Sequence, residues 1–215
     1  MTTTTRWWWI RHAPVDSGGR IYGQCDLPAD CSDPEPFRWL APRLPQNAVW
    51  LVSPLRRTHQ TAQAVCDCWP AERSAKPAPP AVEPDIVEQH FGTWQGRSHA
   101  ELDRLRDGAW HRFWLAPADE RPPGGESFAE VTERVGRAVV RLSAEHAGRD
   151  IIAVAHGGSI RAAVALALGL SPEKALALSI DHCSLTRLDH IAGPPGSHDS
   201  ASPSSWRVVQ LNLSL

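Results

Sequence analysis

Imidazole and guanidinium side chains lie in three short segments, each of which follows an apolar run. They are Arg11 with His12, Arg56 with Arg57 inside SPLRR, and His156 before two glycines. Arginine forks and the exposed N–H groups of helix N-termini bind phosphate monoester dianions well. Each segment alone also arises by chance or as helix capping. Together they indicate a pocket for a phosphoryl group.

A histidine in such a pocket can attack phosphorus directly. A neutral imidazole attacks with one ring nitrogen while a carbonyl or carboxylate holds the other as a donor, and His12 is our candidate. Phosphoryl transfer is catalysed chiefly by positioning and charge stabilisation, which a protonated His156 would supply. Glu88 is the candidate proton donor to the leaving alkoxide. His90 can titrate near neutral pH, and no catalytic role is assigned to it.

Three apolar runs predict the strands that carry these segments. They span Arg6 to Ile10, Ala48 to Val52 and Ile151 to Ala155. Signals for helices follow the second and third runs. Ser53 and Pro54 predict a cap and first turn for a helix to about Cys68, and a second helix is expected from Ser159 to Leu168, with Gly169 as its stop.

The rest of the chain completes an α/β pattern. Ser127 and Glu130 form a capping box for a further helix, and Cys183 to Asp189 and Trp206 to Leu213 predict closing strands. Strands alternating with helices predict a three-layer α/β/α sandwich around a mostly parallel sheet, which binds ligands beyond the carboxyl ends of its strands. We expect one domain over residues 1–215, with a flexible N-terminus at 1–5 and a mobile loop at 191–205.

Composition excludes several classes of protein. The net charge of −2 and pI of about 6.5 give no broad positive field for nucleic acid or an anionic membrane. No apolar run approaches the roughly 20 residues that span a bilayer. Five cysteines form no regular framework, so we expect a reducing cytoplasm and no metal site.

The quoted motifs resemble those of the histidine phosphatase superfamily, also called the phosphoglycerate mutase-like family. Arg11-His12-Ala13 is similar to its Arg-His-Gly signature, SPLRRTHQTA from Ser53 to its second arginine motif, and AHGG from Ala155 to its second histidine motif. The resemblance implies the family's fold, a phosphorylated His12 and a proton-donating Glu88. It implies phosphate binding by Arg11, Arg57 and His156, with Arg56 open as an alternative to Arg57. It implies no metal or organic cofactor and a small phosphate monoester as substrate.

Two departures bear on the reaction. Ala13 replaces the usual glycine, and Gly18 stands where mutase-like members often have a phosphate-touching asparagine. GRIYGQCDLP, HFGTWQG and PPGGESF are most similar to the α-ribazole phosphatase branch of cobalamin synthesis, and the segment before the second histidine motif is short for a mutase.

Three functions are therefore weighed: a metal-independent phosphatase, which the resemblance favours, a phosphoglycerate-type mutase, and a catalytically silent phosphoprotein-binding module. The alcohol part of the substrate would contact loops such as Asp30 to Pro45 and Trp110 to Gly124, where Trp94, Trp110 and Trp114 either line a subsite or pack in the core. The oligomeric state stays open, with a homodimer as one alternative.

Overall fold

A central mixed sheet organises the protein, which was analysed as a computed structural model. The structure describes residues 2–73, 77–106, 111–193 and 205–215. Within these ranges six strands form one sheet in the order β3-β2-β4-β1-β5-β6. They are β1 (Thr3–Arg11), β2 (Val49–Val52), β3 (Ala81–Val82), β4 (Asp150–Ala155), β5 (Leu185–Ala192) and β6 (Ser205–Leu213).

The sheet changes direction at β1. The pairs β3-β2, β2-β4 and β4-β1 are parallel, whereas β5 runs antiparallel to β1 and β6 antiparallel to β5. The predicted parallel arrangement is confirmed for the three strands whose carboxyl ends carry the candidate residues, and β3 adds a fourth parallel strand. The two closing strands form the antiparallel edge.

Helices cover both faces of the sheet, as the predicted three-layer sandwich requires. They are α1 (Glu35–Leu40), α2 (Arg56–Asp67), α3 (His99–Leu105), α4 (Phe128–Glu145), α5 (Gly157–Leu168) and α6 (Pro172–Ala175), with 3₁₀ turns at Ala41–Arg43, Pro84–Ile86 and Gly92–Trp94. The expected capping box of Ser127 and Glu130 starts α4. Gly169 ends α5 in the left-handed conformation that glycine adopts without steric cost.

The tryptophans of β1 divide between the two faces because successive strand residues point in opposite directions. Trp7 and Trp9 are fully buried and stack with ring centroids 5.1 Å apart, on the face covered by α4, α5 and α6. Trp8 packs on the other face, which α1 and α2 cover, and its Nε1 donates to Asp150. The three tryptophans thus pack on both faces of the sheet.

Several boundaries differ from the sequence prediction. Thr3 to Thr5 belong to β1, so the flexible N-terminus expected at residues 1–5 is wrong for these three, whose backbone pairs with the end of β5. Residues 191–192 and 205 likewise belong to β5 and β6, and 194–204 of the expected mobile loop lie outside the described ranges.

Both helices after the candidate strands start at other residues than predicted. α2 begins at Arg56, with Leu55 rather than Ser53 as its N-cap. The Ser53 hydroxyl instead accepts from the Leu55 N–H and lies 2.7 Å from His156 Nε2. α5 begins at Gly157, two residues earlier than expected. Each helix in the described part of the chain is too short or too polar to pass through a bilayer.

Candidate active site

The two candidate histidines lie side by side because neighbouring strands end in register. Arg11 of β1 pairs with Ala155 of β4, and each histidine is the next residue. The His12 backbone N–H donates to the Ala155 carbonyl over 3.0 Å. The two rings are 5.1 Å apart between centroids, close to the spacing of about 4.8 Å between adjacent strands.

The geometry of His12 is that of a nucleophile. Its ring is almost completely buried, and Nδ1 lies 2.7 Å from the Ala13 carbonyl oxygen. A carbonyl only accepts, so Nδ1 carries the proton and Nε2 keeps its lone pair. Burial, followed by the charge of Arg57, holds the pKa of His12 well below its usual range. The imidazole is therefore neutral and can attack at neutral pH.

Ala13 fits the turn after His12 without backbone strain. The φ of Ala13 is not positive, so its Cβ causes no strain. Its N–H donates to Thr61 Oγ1 over 2.9 Å. The Thr61 hydroxyl in turn donates to the Arg57 carbonyl. The turn that carries His12 is thus tied to the helix that carries Arg57, and alanine serves where the family usually has glycine.

Arg57, rather than Arg56, turns into the interior. Its side chain is fully buried, donates to the Gly23 and Cys25 carbonyls over 2.6 and 3.0 Å, and leaves Nε without a partner among the described residues. Its guanidinium lies 5.0 Å from the Tyr22 ring centroid. Arg56 is exposed. Arg11 is held in a similar way by the Ile180 carbonyl, 2.6 Å from Nη1, and its buried Nε also lacks a partner there.

His156 is oriented by a serine of the second arginine motif. Its Nε2 lies 2.7 Å from Ser53 Oγ, and its buried Nδ1 has no hydrogen-bond partner among the described residues. Ser53 Oγ accepts from the Leu55 N–H. The Thr58 hydroxyl donates to the backbone carbonyls of Ser53 and Leu55. When the Ser53 hydroxyl donates to Nε2, the ring proton lies on Nδ1; Ser53 Oγ also lies 3.3 Å from Thr58 Oγ1.

His156 is neutral, because burial above all holds its pKa well below the usual range. The sequence suggested a protonated His156. The structure provides instead a neutral ring whose buried Nδ1 has no partner among the described residues and can donate when Ser53 holds Nε2 as an acceptor.

Glu88 lies against the start of α5. Its carboxylate accepts from the Gly158 N–H over 3.1 Å and from the Gln89 N–H over 2.9 Å, and it is 8% exposed. A Cβ built on Gly158 would collide with Glu88 Oε1. The second glycine of the AHGG motif thus makes room for the carboxylate. The neighbouring His90 accepts from the Gly92 N–H at Nδ1, so it braces the HFGTWQG turn.

A cavity of about 500 Å³ opens beside these residues. Its wall is lined by Arg11, Arg20, Ile21, Tyr22, Gly23, Glu88, Phe91, His99, His111, Arg112, Phe113, Trp114 and Leu115. Glu88 is the one carboxylate in this set. Trp114 contributes to the cavity, whereas Trp94 is buried in a small core with Ile21 and Phe91. Trp110 lies outside the described residues.

The chain is similar to a known protein family and to several known enzymes. The model of the histidine phosphatase superfamily (branch 1) matches residues 7–198. The chain belongs to this superfamily. A glucosyl-3-phosphoglycerate phosphatase of Mycolicibacterium vanbaalenii is 33% identical over 172 residues, which cover 75% of this chain and 73% of the relative. An adenosylcobalamin/α-ribazole phosphatase of Escherichia coli is 27% identical over 191 residues, covering 86% and 89%.

The chain is also similar to a solved structure and to a longer relative. A solved mycobacterial glucosyl-3-phosphoglycerate phosphatase superposes with a TM-score of 0.77 at 28% identity, covering 97% of this chain and 99% of that one. A bifunctional protein of Mycobacterium tuberculosis is 34% identical over 134 residues. The match spans 62% of this chain and about a third, 35%, of that longer relative.

Two residues beside the histidine phosphatase motifs were not found from the sequence. His182 lies with its ring centroid 5.1 Å from that of His12. Arg161 of α5 donates to the Leu178 carbonyl and stacks on Trp114, 4.6 Å from its ring centroid. Burial is the main cause that lowers the pKa of Arg161 to about 10. Arg161 lies four residues beyond Gly157 on the same face of α5, a spacing that points to the site only once His156 is placed.

Proposed function

We propose that the protein is a phosphomonoester hydrolase that works through a phosphohistidine intermediate on His12. The observation that carries the proposal is the pairing of two neutral imidazoles with opposite hydrogen-bonding roles at the ends of β1 and β4. His12 offers a lone pair at Nε2, and His156 offers a proton at Nδ1. One ring can attack phosphorus while the other binds a phosphoryl oxygen.

The remaining groups complete the reaction. Arg11 and Arg57 bring buried guanidinium groups whose Nε–H groups are available for phosphoryl oxygens. The bond from His12 Nε2 to phosphorus forms as the bond from phosphorus to the alcohol oxygen breaks, and Glu88 gives its proton to that oxygen. Water then attacks the phosphorus of the phosphohistidine while Glu88 takes a proton from the water. The bond from His12 Nε2 to phosphorus breaks, and phosphate leaves. Every step uses side chains of this chain.

A His12→Ala variant tests the proposal. We expect hydrolysis of an aryl phosphate to fall below detection while the melting temperature stays within a few degrees of wild type. A matched His146→Ala variant, which changes a histidine at the far end of α4, should keep wild-type turnover. Quenched wild-type enzyme should carry an acid-labile phosphoryl group that His12→Ala lacks. Full turnover by His12→Ala would refute the assigned nucleophile.

The substrate is proposed more narrowly from the cavity. α-Ribazole 5'-phosphate is one candidate, which the sequence motifs and the E. coli relative support. Glucosyl-3-phosphoglycerate is a second candidate, since its carboxylate would meet a wall that contains Arg20, Arg112 and two histidines. Specificity constants for these two esters, measured with 3-phosphoglycerate and phosphoserine alongside, decide between them. If neither ester has a specificity constant above those of 3-phosphoglycerate and phosphoserine, both are rejected as the preferred substrate.

The same screen separates hydrolysis from the other two functions. Formation of 2-phosphoglycerate from 3-phosphoglycerate would identify a mutase, whereas phosphate release without the isomer identifies a phosphatase. Phosphopeptide binding without turnover of any ester would identify a silent binding module.

A further inference from the structure

His182 is held against the nucleophile by the backbone. It lies in the turn before β5, where the Cys183 N–H donates to the Arg11 carbonyl over 3.0 Å and the Arg11 N–H donates to the Ser184 carbonyl over 3.3 Å. Cys183 has a φ of 56°, a strained value for a residue with a Cβ. Such strain persists only where the surroundings enforce it, so the turn is fixed to the end of β1.

The hydrogen bond of His182 settles its tautomer. Nδ1 lies 2.9 Å from the His12 carbonyl oxygen, which can only accept. The ring proton is therefore on Nδ1, and Nε2 presents a lone pair. The ring is half-buried and tilted by 56° to that of His12, with 5.1 Å between centroids.

The charged groups that face His182 come from three elements. Arg11 and His12 lie at the end of β1, Arg57 on α2, and Asp181 next to it in the turn. Burial, followed by the charge of Arg11, lowers the pKa of His182 to about 4, against the opposing effects of the His12 carbonyl and Asp181. The ring is therefore neutral at pH 7.

This neutral ring differs from the other two imidazoles in what it offers a phosphoryl group. With Ser53 donating to its Nε2, His156 presents an Nδ1–H, and His12 presents its lone pair at Nε2. A phosphoryl oxygen that contacted Nε2 of His182 would meet a second lone pair, and two acceptors repel each other unless a proton lies between them. A bound dianion also opposes the charge of Arg11, which is the second cause, after burial, of the lowered pKa of His182.

We propose that His182 Nε2 and the phosphoryl group bound at His12 share one proton, so that the site takes up a proton when it binds a phosphate dianion. This inference rests on the proposed function, because it places the phosphoryl group beside His12. The shared proton sits on Nε2 or on the phosphoryl oxygen. It remains there while the bond to His12 forms and the alcohol leaves, so it is distinct from the proton of Glu88.

Calorimetry of inorganic phosphate binding tests the proposal without requiring turnover. Titrations between pH 8 and 9, in two phosphate-free buffers with different ionisation enthalpies, report the protons taken up on binding. We expect about one proton for the wild type and, by linkage, an affinity that falls about tenfold per pH unit. His182→Gln should bind phosphate with near-zero uptake and a flat pH dependence, because an amide donates without gaining a proton.

A matched control and the failing outcomes are well separated. His190→Gln changes a histidine of β5 that stacks on Trp206 and should keep the wild-type uptake. Equal uptake by wild type and His182→Gln would overturn the proposal while leaving the phosphatase intact. Absence of phosphate binding by wild-type protein would overturn both.

Discussion

Replacing Gly158 with alanine tests whether the AHGG motif exists to seat the Glu88 carboxylate. The added Cβ would collide with Glu88 Oε1, which the Gly158 N–H binds over 3.1 Å. Glu88 must therefore move, and its hydrogen bond to the start of α5 breaks. Alanine in a helix is favoured over glycine by about 0.5–1 kcal/mol, which offsets part of an overpacking cost of about 1–3 kcal/mol. We expect a folded protein with a displaced carboxylate.

The displacement should affect proton transfer rather than attack. A positioned general acid contributes about 10² to 10⁴-fold, so the first-turnover rate with an alkyl phosphate, whose alkoxide needs a proton, should fall on the order of 10²-fold. Release of 4-nitrophenolate needs no proton, and its first-turnover rate should change less than about threefold. The same variant should then show a burst of nitrophenolate, because water attack on the phosphohistidine also uses Glu88. Rapid-quench and stopped-flow measurements resolve these steps.

Two matched substitutions separate the collision from helix effects. Gly157→Ala places its Cβ 2.9 Å from the flexible end of Arg161, which can move aside, and Gly136→Ala in α4 meets nothing within 4 Å. Gly157→Ala should lose far less activity than Gly158→Ala, and Gly136→Ala should only gain about 0.5–1 kcal/mol of stability. An alkyl phosphate rate in Gly158→Ala equal to wild type would refute the role assigned to Glu88.

Two further predictions concern groups that hold the site and the sheet. Ser53→Ala removes the partner of His156 Nε2 and should lower kcat about tenfold with little change in melting temperature; an unchanged kcat and pH profile would contradict the positioning role. Asp150 accepts from Arg6 and Trp8, so Asp150→Asn should lower the free energy of unfolding by about 1–2 kcal/mol at pH 7 in urea titrations. Burial raises the pKa of Asp150, but the bonds to Arg6 and Trp8 outweigh it and the net pKa is lowered. The stabilisation is therefore present above pH 3.8 and lost as the pH falls through the lowered value, an acid-side loss that Asp150→Asn should lack.

The strand-to-helix junctions were predictable because each leaves a local signal. An apolar run followed by Arg11 and His12, or by His156 and two glycines, marks the carboxyl end of a buried strand. The rule that parallel sheets bind ligands at that edge then brought residues 144 positions apart into one site. The family motifs added the choice of Arg57 over Arg56 as phosphate ligand.

The residues that contact the two candidate histidines, Ser53 and His182, left no such signal in the sequence. Ser53 reads as a helix cap, and nothing in its neighbours shows that its hydroxyl faces a histidine on another strand. His182 lies in the turn before β5, and no sequence motif marks that turn. Its position depends on the pairing of β5 with β1. These contacts are fixed by tertiary packing, so they follow from the sheet order and not from spacing along the chain.

The adjacency of β1 and β4 has a consequence for how the active site can change during evolution. The gap between His12 and His156 is a backbone dimension, set by the hydrogen bonds that join two paired strands rather than by side-chain size. This distance cannot increase unless the hydrogen bonds between β1 and β4 break. New substrates must therefore be accommodated by changes in the loops that line the cavity, while the distance between the ends of β1 and β4 stays constant.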